Sequence, residues 1–191
     1  MVAPYASRFT AKEYLALEAV AEVKHEYFGG YIVAMAGAEL DHNQIAENVR
    51  AELRAGLGDR PCRILGSDQR VIVESVGEYF YPDIIVTCLD PVLVDPKPRS
   101  LTNPQVIIEI LSESTERYDR GDKWHAYQAI PTLADYVMVA STKRELQHYH
   151  RLPDGSWTLR VVQGDGTTAL ANGVILDLAR LYRLVPGLEA R

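Results

Sequence analysis

The sequence predicts an α/β domain: a mixed central β-sheet flanked by helices, with an antiparallel meander near its C-terminal end. Three observations carry this prediction. Segments of helical periodicity are interspersed with strand-like runs, the pattern of helices packed on a sheet. One run, Val106-Ile107-Ile108-Glu109-Ile110-Leu111, is apolar almost throughout, as in a strand covered on both faces. The later strand-like runs follow one another across short turns, one marked by Pro153-Asp154-Gly155.

Taken in order, Thr10 and Glu13 have capping-box spacing, so a short helix is expected from there to about Val20. Two extended runs surround Gly29-Gly30, whose freedom at positive φ suits a tight hairpin turn. Ile45, Val49, Leu53 and Leu57 recur every four residues behind an Asp41 cap and form the clearest amphipathic helix. Strand-like segments at 62–75 and 79–89 lead into a proline-rich loop, residues 90–100, and then the apolar run around Glu109. A helix is expected from Asp119, as its cap, to Ala129, with Asp122 in the first turn. Further runs at 134–142, 145–152, 156–163 and 173–184 complete the domain.

The 191 residues suit a single domain spanning 1–191, and 47% hydrophobic residues suffice for a core. Apolar runs of about 18 residues are absent, so no membrane-spanning helix is expected, and the opening MVAPYASRFTAKEY lacks the apolar stretch of a secretory signal. Cys62 and Cys88 have no zinc-site spacing and read as two reduced core thiols of a cytoplasmic protein. A net charge of −6 argues against tight non-specific binding of DNA phosphates, but leaves room for a local basic surface or a metal-neutralised cleft.

Glu109 sits in the middle of a buried-type strand, where an unpaired carboxylate costs several kcal/mol or keeps its proton. Asp83 lies at the mouth of another apolar strand, Tyr81-Pro82-Asp83-Ile84-Ile85-Val86. Either acid alone could be an ion-pair partner, for example of Lys123. Both together on neighbouring strands make an oxygen-ligand site for Mg²⁺ or Mn²⁺. His148 and His150 alternate along one strand with no third ligand near in sequence, and read as surface residues. Trp124 and Trp157 read as core or rim aromatics, and no glycine-rich phosphate loop or nucleophile elbow occurs.

Pro82-Asp83 followed by Glu109 resembles the PD-(D/E)XK, restriction-endonuclease-like superfamily. KHEYFGG, MAG and His42, YPDIIV, PQVIIEILSEST, and Asp119 to Lys123 with Tyr127 are similar in order to its Uma-two branch, over about residues 10 to 185. The resemblance implies a restriction-endonuclease-like fold and a metal-dependent endonuclease acting on DNA. It implies Asp83 as central ligand, Glu109 and the Ile110 carbonyl as further ligands, and Glu26 as a direct or water-mediated one. Lys123 would orient the attacking water and stabilise charge growing on the phosphate. Two positions depart from the pattern. Leu111 occupies the superfamily's usual lysine position, so Lys123 must serve from the following helix. Gly29 stands where relatives often carry an acid, which removes one ligand. His42 and Tyr127 also fall at family positions, although capping and packing explain such residues as readily. Besides a DNA nuclease, the residues allow a non-catalytic DNA-binding or protein-interaction module, or a hydrolase of other phosphate esters. A homodimer is compatible with the apolar Val92, Leu93 and Val94.

Overall fold

A computed structural model describes residues 8–35, 37–112 and 115–188. Ala36 of the MAG segment, and Glu113 and Ser114 of PQVIIEILSEST, lie outside the described residues. The elements, in chain order, are α1 (Ala11–Glu18), β1 (His25–Phe28), β2 (Tyr31–Ala34), α2 (Leu40–Leu57), β3 (Arg63–Gly66), β4 (Val71–Val73), β5 (Glu78–Phe80), β6 (Ile84–Thr87), β7 (Leu93–Val94), β8 (Ser100–Leu101) and β9 (Val106–Leu111). There follow α3 (Glu116–Tyr118), a π-turn (Asp119–Lys123), α4 (Trp124–Tyr127), β10 (Asp135–Ala140), β11 (Glu145–Arg151), β12 (Trp157–Gln163), β13 (Thr167–Ala169), β14 (Ile175–Asp177) and α5 (Leu178–Leu181).

The capping box at α1 is formed: the Glu13 carboxylate accepts the Thr10 N–H at 2.7 Å, and the Thr10 hydroxyl accepts the Glu13 N–H at 3.3 Å. Gly29 and Gly30 both have positive φ, 55° and 85°, which lets β1 turn directly into β2 with Phe28 opposite Tyr31. α2 begins one residue before Asp41. Its cap is Glu39, which makes no side-chain capping bond, so Asp41 serves as a first-turn acid and not as the cap.

Two six-stranded sheets form where the sequence suggested one central sheet. The first runs β2-β1-β5-β4-β8-β7, the second β12-β11-β10-β9-β6-β3, and β13-β14 is a separate hairpin. In the second sheet β9 and β10 are parallel, joined through α3, the π-turn and α4, while β10-β11-β12 is the antiparallel meander. Strand alternation splits the second sheet's side chains between two cores. Ile84, Val86, Ile108, Ile110, Val137, Val139 and Leu146 pack against α2 and α5. Ile85, Ile107, Leu111, Tyr136 and Met138 face the other way, against Tyr127 and first-sheet residues Val71, Phe80 and Leu101. Glu109 lies between Ile107 and Leu111, on this second face.

Two sequence expectations are corrected. Cys62 and Cys88 are joined in a disulfide and are not free thiols. The cause is register: Arg63 pairs with Thr87 across β3 and β6, which puts the flanking cysteines opposite each other. His148 is buried, 4% exposed, and not a surface residue; only His150 reaches solvent. Among the described residues no helix is long and apolar enough to cross a membrane.

Candidate active site

The helix expected from Asp119 begins earlier, at Glu116, and passes through the π-turn before α4. Such turns recur at functional sites because the extra residue redirects side chains. Here Asp119, Lys123 and Tyr127, four residues apart, all point to Glu109's neighbourhood. Lys123 Nζ lies 3.2 Å from Asp119 Oδ1, 3.2 Å from Glu109 Oε1 and 3.1 Å from Glu26 Oε1. Glu26 reaches the group from β1 and Glu109 from β9, so the cluster joins both sheets and the crossover segment.

Each carboxylate is held further. The Tyr127 hydroxyl donates to Glu109 Oε1 at 3.2 Å, and the Asp83 N–H donates to Glu109 Oε2 at 3.2 Å. Glu26 Oε1 accepts the Tyr81 N–H at 2.9 Å. Asp83, at the entrance to β6, accepts the Ile110 N–H on Oδ2 at 2.8 Å, and His42 Nε2 lies 3.1 Å from the same oxygen. Ile110 therefore contacts the site through its N–H. Asp119 Oδ1 is buried, and its partner is the Lys123 ammonium.

Three carboxylates thus share one ammonium in a desolvated setting, with Glu26, Glu109, Asp119 and Lys123 all buried, and Asp83 adjoins them. Burial pushes the Glu109 carboxyl well above its ordinary range; Lys123 opposes this, and the charges of Asp119, Asp83 and Glu26 add to it. Burial also raises Glu26 against the pull of Lys123. Burial pushes Asp83 up too, but His42 and the Ile110 N–H outweigh it and hold the group below its usual value. For Lys123, burial is outweighed by Glu109, Glu26 and Asp119, which hold the ammonium firmly charged. The arrangement can bind positive charge at its carboxylates and present fixed positive charge beside them.

Of the residues singled out in sequence, Glu26, Glu109 and Lys123 are in direct contact, and Asp83 joins them through its backbone and through Ile110. Asp119 was missed as a site residue because it was read as a helix cap. The available signal was its four-residue spacing from Lys123 and Tyr127. His42, a family-position residue, does contact Asp83.

The two-sheet architecture, the parallel β9–β10 crossover and the acids at its end define a restriction-endonuclease-like fold. The chain belongs to the Uma2 family, described as "Putative restriction endonuclease", which matches residues 11–180. Two relatives come from Synechocystis sp. (strain ATCC 27184 / PCC 6803 / Kazusa). The uncharacterized protein sll1609 is 34% identical over 86% of this chain and 93% of its own length. The uncharacterized protein slr1290 is 37% identical over 92% of both. A crystal structure from Anabaena variabilis ATCC 29413, titled as that of "a putative nuclease belonging to DUF820", superposes with a TM-score of 0.73. That superposition covers 91% of this chain and 97% of the other at 16% identity, and it shows a shared fold.

Proposed function

We propose that this protein is a metal-dependent endonuclease that hydrolyses DNA phosphodiester bonds with Mg²⁺ or Mn²⁺. The observation that carries the reading is the excess of buried carboxylates, Glu26, Glu109 and Asp119, around the single ammonium of Lys123, with the partly buried Asp83 joined to them through Glu109. Such a set either takes up a cation and ionises or keeps protons bound. The all-oxygen donor set, in which Asp119 Oδ1 has, among the described residues, only the Lys123 ammonium as partner, fits a hard divalent ion. Asp83 and Glu109 would hold it, with the Ile110 carbonyl as a further ligand and Glu26 directly or through water. When bound, the ion supplies Lewis-acid polarisation of a phosphoryl oxygen and a more acidic water.

The chain's own groups do the rest. Lys123 keeps its proton and orients the attacking water, and its charge stabilises the negative charge gathering on phosphate. Tyr127 fixes the Glu109 carboxylate, while His42 and the Ile110 N–H fix that of Asp83. The half-exposed Val92 and Leu93 are compatible with a homodimer carrying one site per strand.

The test is cleavage of supercoiled, linear and single-stranded DNA by purified protein with Mg²⁺ or Mn²⁺. The reading expects metal-dependent cutting that falls by about 100-fold or more in Asp83→Asn, Glu109→Gln and Lys123→Ala. Absence of cutting on every DNA form, across salt concentrations, would count against it. A second reading, a non-catalytic nuclease-fold module, is favoured by Lys123's three ion pairs, which already place a cation among the acids. Calorimetry showing no Mg²⁺ or Mn²⁺ binding dependent on Asp83 and Glu109 would select it.

A further inference from the structure

We propose that Asp135, His148 and His150 form a second metal site, suited to Zn²⁺, on the face of the second sheet opposite the Lys123 cluster. Alternation along the strands sets this placement. Asp135 has the parity of Val137 and Val139, and His148 and His150 that of Leu146, all of which pack toward α2. Glu109 shares the other face with Tyr136 and Met138. Asp135 pairs directly with His150, and Val137 with His148, so the antiparallel register brings the three side chains together.

The ligand atoms already converge. Asp135 Oδ1 lies 2.8 Å from His148 Nε2 and 2.8 Å from His150 Nδ1, and the three atoms fall within 4.8 Å of one another. The second shell is in place as well. Thr168 Oγ1 lies 2.9 Å from His148 Nδ1, which fixes that ring with Nε2 toward the carboxylate. The Ala171 N–H donates to Asp135 Oδ2 at 2.8 Å, so that Oδ1 is the oxygen turned to both imidazoles. Among the described residues no lysine or arginine pairs with the fully buried Asp135, so its charge rests on the two imidazoles.

Two imidazoles and one carboxylate favour a borderline ion such as Zn²⁺, whereas the all-oxygen cluster favours Mg²⁺ or Mn²⁺. Tetrahedral zinc bonds of about 2.0–2.1 Å put ligand atoms roughly 3.3 Å apart, so the group must open by about 0.5 Å. His150 can move that far, because its side chain is 37% exposed. A cavity of about 330 Å³ whose lining includes Asp135, Arg60, Gln105 and Asn172 adjoins the carboxylate on the side away from the two histidines.

The test separates this site from the acidic cluster. Chelator-treated Asp83→Asn/Glu109→Gln protein is titrated with Zn²⁺ by calorimetry, and the titration is repeated after adding His150→Ala. One equivalent is expected in the first protein. His150→Ala should weaken it by more than the roughly 10–100-fold expected for Thr168→Val, which removes only an orienting hydroxyl. If the double variant does not fold, Co²⁺ added to the otherwise unaltered protein should give the visible bands of nitrogen ligation, and His150→Ala should abolish them. No saturable Zn²⁺ binding, binding unchanged by His150→Ala, or a Co²⁺ spectrum indifferent to it would overturn the proposal.

Discussion

The two polar clusters on opposite faces of the second sheet solve the burial of carboxylate in different ways. Around Lys123, three acids converge on one fixed charge with Asp83 beside them, and burial leaves Glu109 and Glu26 reluctant to ionise. Around Asp135, one acid is surrounded by hydrogen-bonding groups that need carry no charge, two imidazoles and a backbone N–H. The first cluster is short of positive charge and the second is internally satisfied. That difference is why the first supports a reading as a reactive site, while the second, which ties β10, β11 and the Thr168 to Ala171 segment, suits an ion held between its ligands.

The sharpest way to break the comparison is Lys123→Met, which strands buried carboxylates without their ammonium. A loss of about 3–5 kcal/mol is expected in metal-free protein, read by denaturant unfolding, with partial recovery on adding Mg²⁺. Asp135→Asn should cost less, about 1–3 kcal/mol in the same measurement, because it replaces one hydrogen-bond acceptor by an amide of the same shape.

A third effect is the pH dependence of the metal-free protein. The folded state holds protons on Glu109 and Glu26 that the unfolded chain releases above the ordinary carboxylate range. Their contribution is therefore complete at low pH and is lost as the pH rises through their folded-state values. Each such proton gives a slope of up to about 1.4 kcal/mol per pH unit. Asp83, held low, has the opposite sign, and its contribution is lost as the pH falls. Stability measured between mildly acidic and neutral pH should decline less steeply in Glu109→Gln than in the parent. Thr10→Ala, remote from both clusters, should remove the α1 cap for about 1 kcal/mol and leave DNA cleavage unchanged.

Much of the architecture was legible because it depends on local pattern. The cap at Thr10, the Gly29-Gly30 turn, the α2 periodicity and the doubly covered strand at Glu109 each announce themselves within a few residues. Glu109 and Asp83 stood out because an acid inside an apolar run conflicts with its surroundings. What stayed hidden depends on register. The Cys62–Cys88 bond follows from the pairing of Arg63 with Thr87, and the contact of His148 with Asp135 follows from the β10–β11 alignment. Neither is encoded in spacing along the chain. Asp119 was obscured by a π-turn that ordinary helical periodicity does not anticipate. The first sheet was not read as a separate one because its strands are short, two to four residues each.

Mn²⁺ binding by chelator-treated protein tests the charge argument most directly, followed by calorimetry or electron paramagnetic resonance. Saturable binding that survives His150→Ala and disappears in Asp83→Asn/Glu109→Gln is the predicted result. Binding indifferent to those two carboxylates, or none at all, would contradict the claim that the buried acids around Lys123 are completed by a divalent cation.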